Sequence, residues 1–256
     1  MYRSRVIPCL LLKDKGLYKT IKFKSPRYLG DPINTLKLFN DKETDEIVVL
    51  DISATVSGKG PDFDYLKQLT KECFMPMCYG GGVTTIEQIE MLYKLGVEKV
   101  ALNTALFTNP KLITDAAKNF GSQSIVASID VKKGFFGSYS AYIMAGTKDT
   151  KLNPVEYAKK AEDLGAGEIF INSIDKDGVM NGYDYELIGK VSSAVNIPVV
   201  AIGGAGNLSD CVKAVDSGAS AAAAGSLFVY YGPLKAVLIN YPTQEELALG
   251  FSNDNK

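Results

Sequence analysis

The chain has 256 residues, 46% of them hydrophobic and 22% charged, which is enough to bury a large core in one α/β domain. A formal net charge of −1, from 28 basic and 29 acidic residues, argues against nucleic acid or an anionic membrane as the main partner. Histidine is absent, so Ser–His pairs, Cys–His pairs and His-ligated metal sites are excluded, and acid–base work must fall to other side chains.

The four cysteines form no CxxC pair, and no apolar run approaches the roughly 20 residues that span a bilayer. We therefore expect a reducing, cytoplasmic location and no membrane partner. We also expect neither a metal nor a cofactor.

Short β-rich runs alternate with longer amphipathic patterns along the whole chain. RVIPCLLLKDKG at 5–16 is typical of a buried strand followed by a loop, and FFGSYSAYIMAG at 135–146 of a hairpin. Several helical patterns begin at Asp, Asn or Thr and end at Gly, as capped helices do. Eight strands are predicted, over residues 5–11, 46–52, 74–79, 98–103, 123–130, 167–173, 198–203 and 220–225.

Eight strands, each followed by a helix, predict a single (β/α)8 TIM barrel over residues 1–256. The alternative is a doubly wound open sheet, which would suit fewer strands. No GxGxxG motif follows the first strand, so the barrel is favoured.

The two halves of the chain repeat each other at a constant spacing. EIVVLDI at 46–52 matches EIFINSI at 168–174, and MPMCYGGG at 75–82 matches IPVVAIGG at 197–204, both at an offset of 122 residues. Across the first strand of each half the offset is 119, which places Leu11 opposite Asp130. The pattern predicts two half-barrels, of which one lacks the acid at this strand end.

Glycine-rich loops follow a strand and precede a helix in each half, as YGGGVTT at 79–85 and IGGAGNLSD at 202–210. Glycine lets the backbone approach a ligand, and a helix N-terminus offers N–H donors to an anion. Phosphate often binds after strands 7 and 8 of such barrels. Two such loops at matching positions favour two phosphate sites and a ligand that is anionic at both ends. The alternative is that the loops are only tight turns.

A family resemblance runs from residue 5 to about residue 232. It is carried by RVIPCL, GDPINTLKLFN, EIVVLDI, YGGGVTTIEQI, KVALNTALFTNP, FGSQSIVASIDVKKG, LGAGEIFINSIDKDGVMNGYD and IPVVAIGGAGNLSD. In these stretches the chain resembles the cyclase (HisF) subunit of imidazole glycerol phosphate synthase. Members of that family take ammonia from a glutaminase partner through the barrel and deliver it to a bound phosphorylated substrate, and imidazole ring closure follows. The resemblance implies an enzyme subunit of the lyase class that binds a HisH-like glutaminase.

The resemblance also implies roles for individual residues. Asp130 matches one catalytic aspartate. The two phosphate sites are matched by Gly82, Asn103 and Thr104, and by Gly178, Gly204, Gly225 and Ser226. The charged ring through which ammonia enters is matched by Arg5, Glu46, Lys99 and Glu168. These four stand at strand starts, so they are expected on the N-terminal face, where the glutaminase would bind. In an unrelated sequence they would be solvated loop residues.

Three further residues are candidates for substrate contact: Lys19, Asp51 and Asp177. Lys19 lies in the first loop, where the alternative is a solvated lysine. Asp51 and Asp177 lie at or just beyond strand tips, and Asp51 could equally hold the neighbouring loop through hydrogen bonds.

Leu11 departs from the family, which has its other catalytic aspartate at this position. Leucine cannot exchange a proton, and a general acid–base group contributes roughly 10²–10⁴-fold to a rate. Asp14 lies nearby but not at the strand tip. The stretch IPCLLLKDKGLYKTIKFKSPRYLGDPIN resembles paralogues associated with amidation of bacterial surface sugars, which supply ammonia to a separate amidotransferase. That function is favoured. The alternatives are a genuine synthase subunit of histidine biosynthesis and a non-catalytic scaffold that conducts ammonia.

Overall fold

Eight parallel strands form the centre of the computed structural model, which describes residues 3–252. Each strand pairs with its neighbours along the chain, and the first also pairs with the last. The strands are β1 (Arg5–Lys13), β2 (Ile47–Asp51), β3 (Met77–Gly80), β4 (Lys99–Leu102), β5 (Ile125–Lys133), β6 (Glu168–Ser173), β7 (Val199–Ile202) and β8 (Ala221–Ala224). This closure confirms the (β/α)8 barrel and excludes the open sheet, which would leave two edge strands unpaired.

A helix follows each barrel strand: α1 (Pro32–Asp41), α2 (Phe63–Lys71), α3 (Ile86–Lys94), α4 (Lys111–Phe120), α5 (Pro154–Asp163), α6 (Tyr185–Ser192), α7 (Leu208–Asp216) and α8 (Gln244–Ser252). Short helices at Ala54–Ser57, Thr104–Thr108 and Ser226–Val229 come between a strand end and the next long helix, and a 3-10 turn spans Ser122–Ser124. Each predicted strand overlaps the observed one to within three residues at either end. In the described part of the chain, no helix combines the length and apolar character needed to cross a membrane.

The barrel strands separate two apolar regions. Side chains alternate between the two faces of a strand. Ile7, Val48, Phe170 and Val200 belong to a buried cluster inside the barrel. The residues on the opposite faces, such as Val6, pack in a second cluster against the surrounding helices. The interior of the barrel is therefore apolar between its two ends.

Strand pairing tests the internal repeat independently of the sequence match. Leu11 pairs with Leu50 on the neighbouring strand, and Asp130 pairs with Asn172. Leu50 and Asn172 are themselves 122 residues apart, the offset found in the sequence. Leu11 and Asp130 therefore occupy equivalent positions of the two half-barrels, as predicted.

Antiparallel hairpins extend β1 and β5 beyond the barrel. The hairpin predicted after β5 is confirmed, because Tyr139–Ile143 pairs antiparallel with that strand. The loop predicted after β1 is wrong, since strands Gly16–Ile21 and Lys24–Gly30 form a hairpin there. Its turn residues, Lys22 and Phe23, both have positive φ. Such turns usually carry Gly or Asn, so this one has no recognisable sequence signature. Two further short hairpin pairs are formed by Lys148–Asp149 with Tyr139–Ile143, and by Tyr230–Tyr231 with Ala236–Val237.

Candidate active site

A cavity of about 350 Å³ opens where the barrel strands end. Every residue predicted to act on the substrate side lines it: Lys19, Asp51, Gly82, Asn103, Thr104, Asp130, Asp177, Gly178, Gly204, Gly225 and Ser226. These residues come from loops that are far apart in the sequence, and barrel closure brings them together. Active sites of such barrels are built at this face from the same kind of loops.

Asp130 is a buried carboxyl at the floor of the cavity, 8% exposed. Its Oδ1 accepts a hydrogen bond from Asn172 Nδ2 at 3.1 Å, and its Oδ2 has no hydrogen-bond partner within residues 3–252. Burial raises the pKa of Asp130 to about 7; the Asn172 hydrogen bond lowers it and the charge of Asp177 raises it further. A carboxyl with this pKa can both accept and return a proton near neutrality.

Leu11 holds the equivalent position in the other half-barrel, lines the same cavity and is also buried. It packs in the interior apolar cluster with Cys9 and Leu50. Asp14 does not replace the missing acid, because it is exposed in the turn after β1 and does not line the cavity. Of the two positions that the repeat relates, only the one at Asp130 therefore carries an acid–base group.

The first predicted phosphate site lies after β3 and β4. Gly82 has a φ of 70°, and a Cβ there would lie 2.8 Å from Gly60 Cα, so only glycine fits this turn. Its N–H donates to the Thr55 hydroxyl at 3.1 Å. Asn103 donates to the backbone oxygen of Ser128 at 2.9 Å, and the Thr104 hydroxyl accepts from the backbone N–H of Met144 at 3.1 Å. These bonds hold the loops in place around the cavity.

The second predicted phosphate site lies after β7 and β8. A Cβ on Gly204 would lie 2.3 Å from the Gly182 oxygen, and one on Gly225 would lie 2.9 Å from Lys19 Cε. The glycine at 225 thus lets the lysine side chain lie directly over the backbone. The Ser226 hydroxyl is buried and has no hydrogen-bond partner among the described residues. Since buried hydroxyls are normally partnered, this one is available to a ligand.

Four charged side chains close the opposite, N-terminal end of the barrel. Arg5 forms ion pairs with both Glu46 and Glu168. Lys99 Nζ lies 3.0 Å from Glu46 Oε1 and 2.8 Å from Glu168 Oε2. Burial alone would lower the pKa of Lys99. The charges of Glu168 and Glu46 raise that pKa by more than burial lowers it, so the net shift is upward. The four predicted gate residues therefore form one alternating ring, in which each charge has two opposite neighbours.

The chain matches a family model described as "Histidine biosynthesis protein" over residues 5–235. A Pseudomonas aeruginosa relative named "Putative imidazole glycerol phosphate synthase subunit hisF2" is 51% identical, over 98% of this chain and all of that protein. The chain belongs to the HisF family. Another relative, "Putative imidazole glycerol phosphate synthase subunit hisF3" of Vibrio vulnificus, is 50% identical over 96% of this chain and 95% of that protein. An Alkaliphilus metalliredigens protein named imidazole glycerol phosphate synthase subunit HisF is 41% identical, over 90% and 92% of the two chains.

Asp177 clamps the first hairpin onto the barrel of this HisF-family chain. Its carboxylate accepts hydrogen bonds from Lys19 Nζ at 2.8 Å and from the Thr20 hydroxyl at 2.7 Å. Its backbone oxygen accepts from the N–H of Lys22 at 2.9 Å. Lys19 is only 7% exposed, so it is not a solvated loop lysine. A Cβ on Gly178 would lie 2.2 Å from the Thr20 oxygen, so this glycine admits the hairpin as well as lining the cavity.

Asp51 makes the local hydrogen bonds that one of its two suggested roles requires, and one further residue of the site was missed by the sequence analysis. Asp51 Oδ1 accepts from Ser53 N at 2.8 Å, from Ser53 Oγ at 2.7 Å and from Ala54 N at 3.0 Å, so this aspartate holds its own loop. Asn172, the partner of Asp130, was missed because nothing in a strand sequence shows what its neighbour carries. Within residues 3–252, no three Cys, Asp or Glu side chains converge as metal ligands.

Replacing Asp130 with Asn should remove a pH dependence of stability. The unfolded carboxyl has a pKa of about 3.9, whereas burial raises the folded value to about 7. The folded state then binds the proton more tightly, so the wild-type free energy of unfolding falls as pH rises between these values. Between pH 5 and pH 8, the free energy of unfolding of Asp130→Asn should therefore rise by about 2–3 kcal/mol relative to that of wild type, measured by urea denaturation.

Asp149→Asn serves as the control for that experiment. Hydrogen bonds from Lys151 and Ser140 lower the pKa of Asp149 to about 2, so its contribution to stability is complete above about pH 5. The free energy of unfolding of Asp149→Asn should therefore differ from that of wild type by the same amount at pH 5 and at pH 8. A difference between wild type and Asp130→Asn that stays constant over this range would contradict the assignment of a raised pKa.

Replacing Asp177 with Asn should loosen the first hairpin. The variant loses the charge of the buried pair with Lys19, and hydrogen bonds to charged groups stabilise by about 1.5–3 kcal/mol. Amide hydrogen exchange of the strand Gly16–Ile21 should become roughly tenfold faster or more. Lys15→Gln is the control on the same hairpin, because its ion pair with Asp62 joins exposed side chains. Equal exchange rates in the two variants would show that Asp177 is not the clamp.

Proposed function

We propose that this HisF-family subunit receives ammonia from a HisH-like glutaminase and delivers it to an acceptor in the amidation of bacterial surface sugars. Leu11 is the observation that carries the proposal, because it puts an apolar side chain at the position that matches Asp130 in the other half-barrel. Passing ammonia to an acceptor needs the barrel and its entrance, whereas closing an imidazole ring also needs the second aspartate.

The route for ammonia runs along the barrel axis. The ring of Arg5, Glu46, Lys99 and Glu168 stands at one end and Asp130 at the other. Between them the interior is lined by apolar side chains such as Ile7, Val48 and Phe170. An apolar passage favours neutral ammonia over ammonium, because a charge loses its hydration there. The glutaminase would bind the face that carries the charged ring.

The delivery end retains the features of a phosphorylated-ligand site. Glycine loops stand on both sides of the cavity, and the second one carries Lys19 and the unpartnered Ser226 hydroxyl. Asp130 can accept the proton that the ammonia nitrogen loses when it bonds to carbon, because its pKa lies near 7. These features favour a subunit that handles a phosphorylated ligand over a pure scaffold for the glutaminase.

The function is tested by ring closure with ammonia in excess and the ribulosyl substrate of the family. Wild type should be slower than an aspartate-bearing relative by roughly 10²-fold or more, because a positioned acid–base group is missing. Leu11→Asp should recover part of that rate, since Asp130 and both glycine loops are already present. Leu11→Asn is the matched control, because asparagine has the shape of aspartate but cannot ionise. This variant should recover none of the ring-closure rate. Full activity of the wild type would support the histidine-biosynthesis alternative instead.

The entrance is tested by replacing Lys99 with Met. The change leaves Glu46 and Glu168 each short of one opposite charge, so the ring should open or rearrange. With ¹⁵N-amide glutamine and the glutaminase present, the nitrogen transferred to product per glutamine hydrolysed should fall. Lys94→Met is the control, since that lysine forms an exposed pair with Glu90 on α3. Unchanged coupling in Lys99→Met would mean that this ring is not the gate.

A further inference from the structure

A second, smaller cavity adjoins the second phosphate site. Its volume is about 170 Å³, and it shares Lys19, Thr20, Gly178 and Ser226 with the main cavity. Its outer wall is formed by Arg27 from the first hairpin and by residues of the loop after β8. The space available to a ligand therefore continues outward past Ser226, between two hairpins.

The outer part of this cavity is positively charged. Lys19, Arg27 and Lys235 line it, and no acidic side chain does. Lys19 is neutralised by Asp177, but Arg27 and Lys235 form no ion pair with any carboxylate of the described residues. The Arg27 guanidinium lies 5.8 Å from the centroid of the Tyr230 ring, which holds it at the cavity wall. Two unpaired cations beside one cavity favour an anionic occupant.

Ser226 provides the independent sign of a ligand at the junction of the two cavities. It is 4% exposed, its hydroxyl has no partner within residues 3–252, and it lines both spaces. A group bound to this hydroxyl would have the main cavity on one side and the two cations on the other. Ser226 lines both spaces, whereas Arg27 and Lys235 line only the smaller one, so an anion with two linked charged groups suits the junction.

We propose that the smaller cavity binds the outer phosphoryl group of a diphosphate, whose inner phosphoryl group contacts Ser226, Gly225 and Lys19. The inference rests on the second phosphate site of the proposed function and adds the class of its ligand. Arginine suits the outer position because its planar donors pair two at a time with phosphoryl oxygens. The diphosphate is either free pyrophosphate or the diphosphate of a nucleotide, since both present the same oxygens.

Calorimetric titration of the full chain with orthophosphate and with pyrophosphate, at one fixed salt concentration, tests this ligand class. Wild type should bind pyrophosphate roughly tenfold more tightly than orthophosphate or better, because of the added charge-assisted bonds. The double variant Arg27→Gln/Lys235→Gln should lose that preference and keep its orthophosphate affinity. Arg27→Lys, which keeps the positive charge, should retain part of the preference for pyrophosphate. Titration with adenosine diphosphate and uridine diphosphate then shows whether the ligand is free pyrophosphate or the diphosphate of a nucleotide. Binding of either kind of ligand supports the proposal.

The matched control is Lys22→Gln/Lys24→Gln, which removes two positive charges from the same hairpin outside the cavity. This control should leave the preference for pyrophosphate over orthophosphate unchanged. An equal loss of that preference in both double variants would show that it comes from general electrostatic attraction, and would overturn the proposal. Orthophosphate binding without any preference for pyrophosphate would overturn this inference alone. Failure of both anions to bind would overturn the second phosphate site as well. Thermal melting of each variant separates these outcomes from loss of the fold.

Discussion

The pairing register that closes the barrel is the constraint on which the rest of the structure depends. Eight strands pair in parallel around a closed ring, so every strand start lies at one end and every strand end at the other. A shift by one residue in any pair would turn that strand's interior side chains toward the helices. The same closure brings Arg5 to Glu46 and Glu168. Together with the internal repeat, it gives Leu11 and Asp130 equivalent positions in the two half-barrels.

The two ends of the barrel accommodate buried charge in different ways. At the N-terminal end, Glu46 and Glu168 are almost fully buried, and each is paired with both Arg5 and Lys99. Breaking such a network by removing one partner is costly, because a buried charge is then left unpaired. At the other end Asp130 has no cation partner among the described residues, and burial raises its pKa to about 7. The ring is therefore satisfied by its own ion pairs, whereas the raised pKa of Asp130 suits it to proton transfer.

Much of the fold could be predicted from the sequence because its signals are local. Helix α3 begins at a Thr85–Gln88 capping box and α7 at the equivalent Asn207–Asp210 box, and both boxes follow predicted strands. The internal repeat also predicts that Leu11 and Asp130 are equivalent, and the strand pairing confirms this. The first hairpin was missed, because its turn residues Lys22 and Phe23 carry no turn signature.

The contacts across the cavity could not be predicted, because they join residues that are distant in sequence. Asp177 and Lys19 are 158 residues apart, and only the folded barrel shows that they pair. Lys235 and Ser226 meet Arg27 at the smaller cavity for the same reason. Asp51 illustrates the opposite case: its hydrogen bonds to Ser53 and Ala54 are local, and a role in holding the loop is one of the two alternatives that the sequence suggests.

In the proposed function, the chain conducts ammonia but lacks the acid needed to close an imidazole ring. This is tested most directly by following the nitrogen from ¹⁵N-amide glutamine, with the glutaminase subunit and the ribulosyl substrate present. We expect the label to accumulate as ammonium, and imidazole glycerol phosphate to carry roughly 10²-fold less label than with an aspartate-bearing relative. Equal incorporation into the imidazole ring by the two proteins would contradict the proposed function.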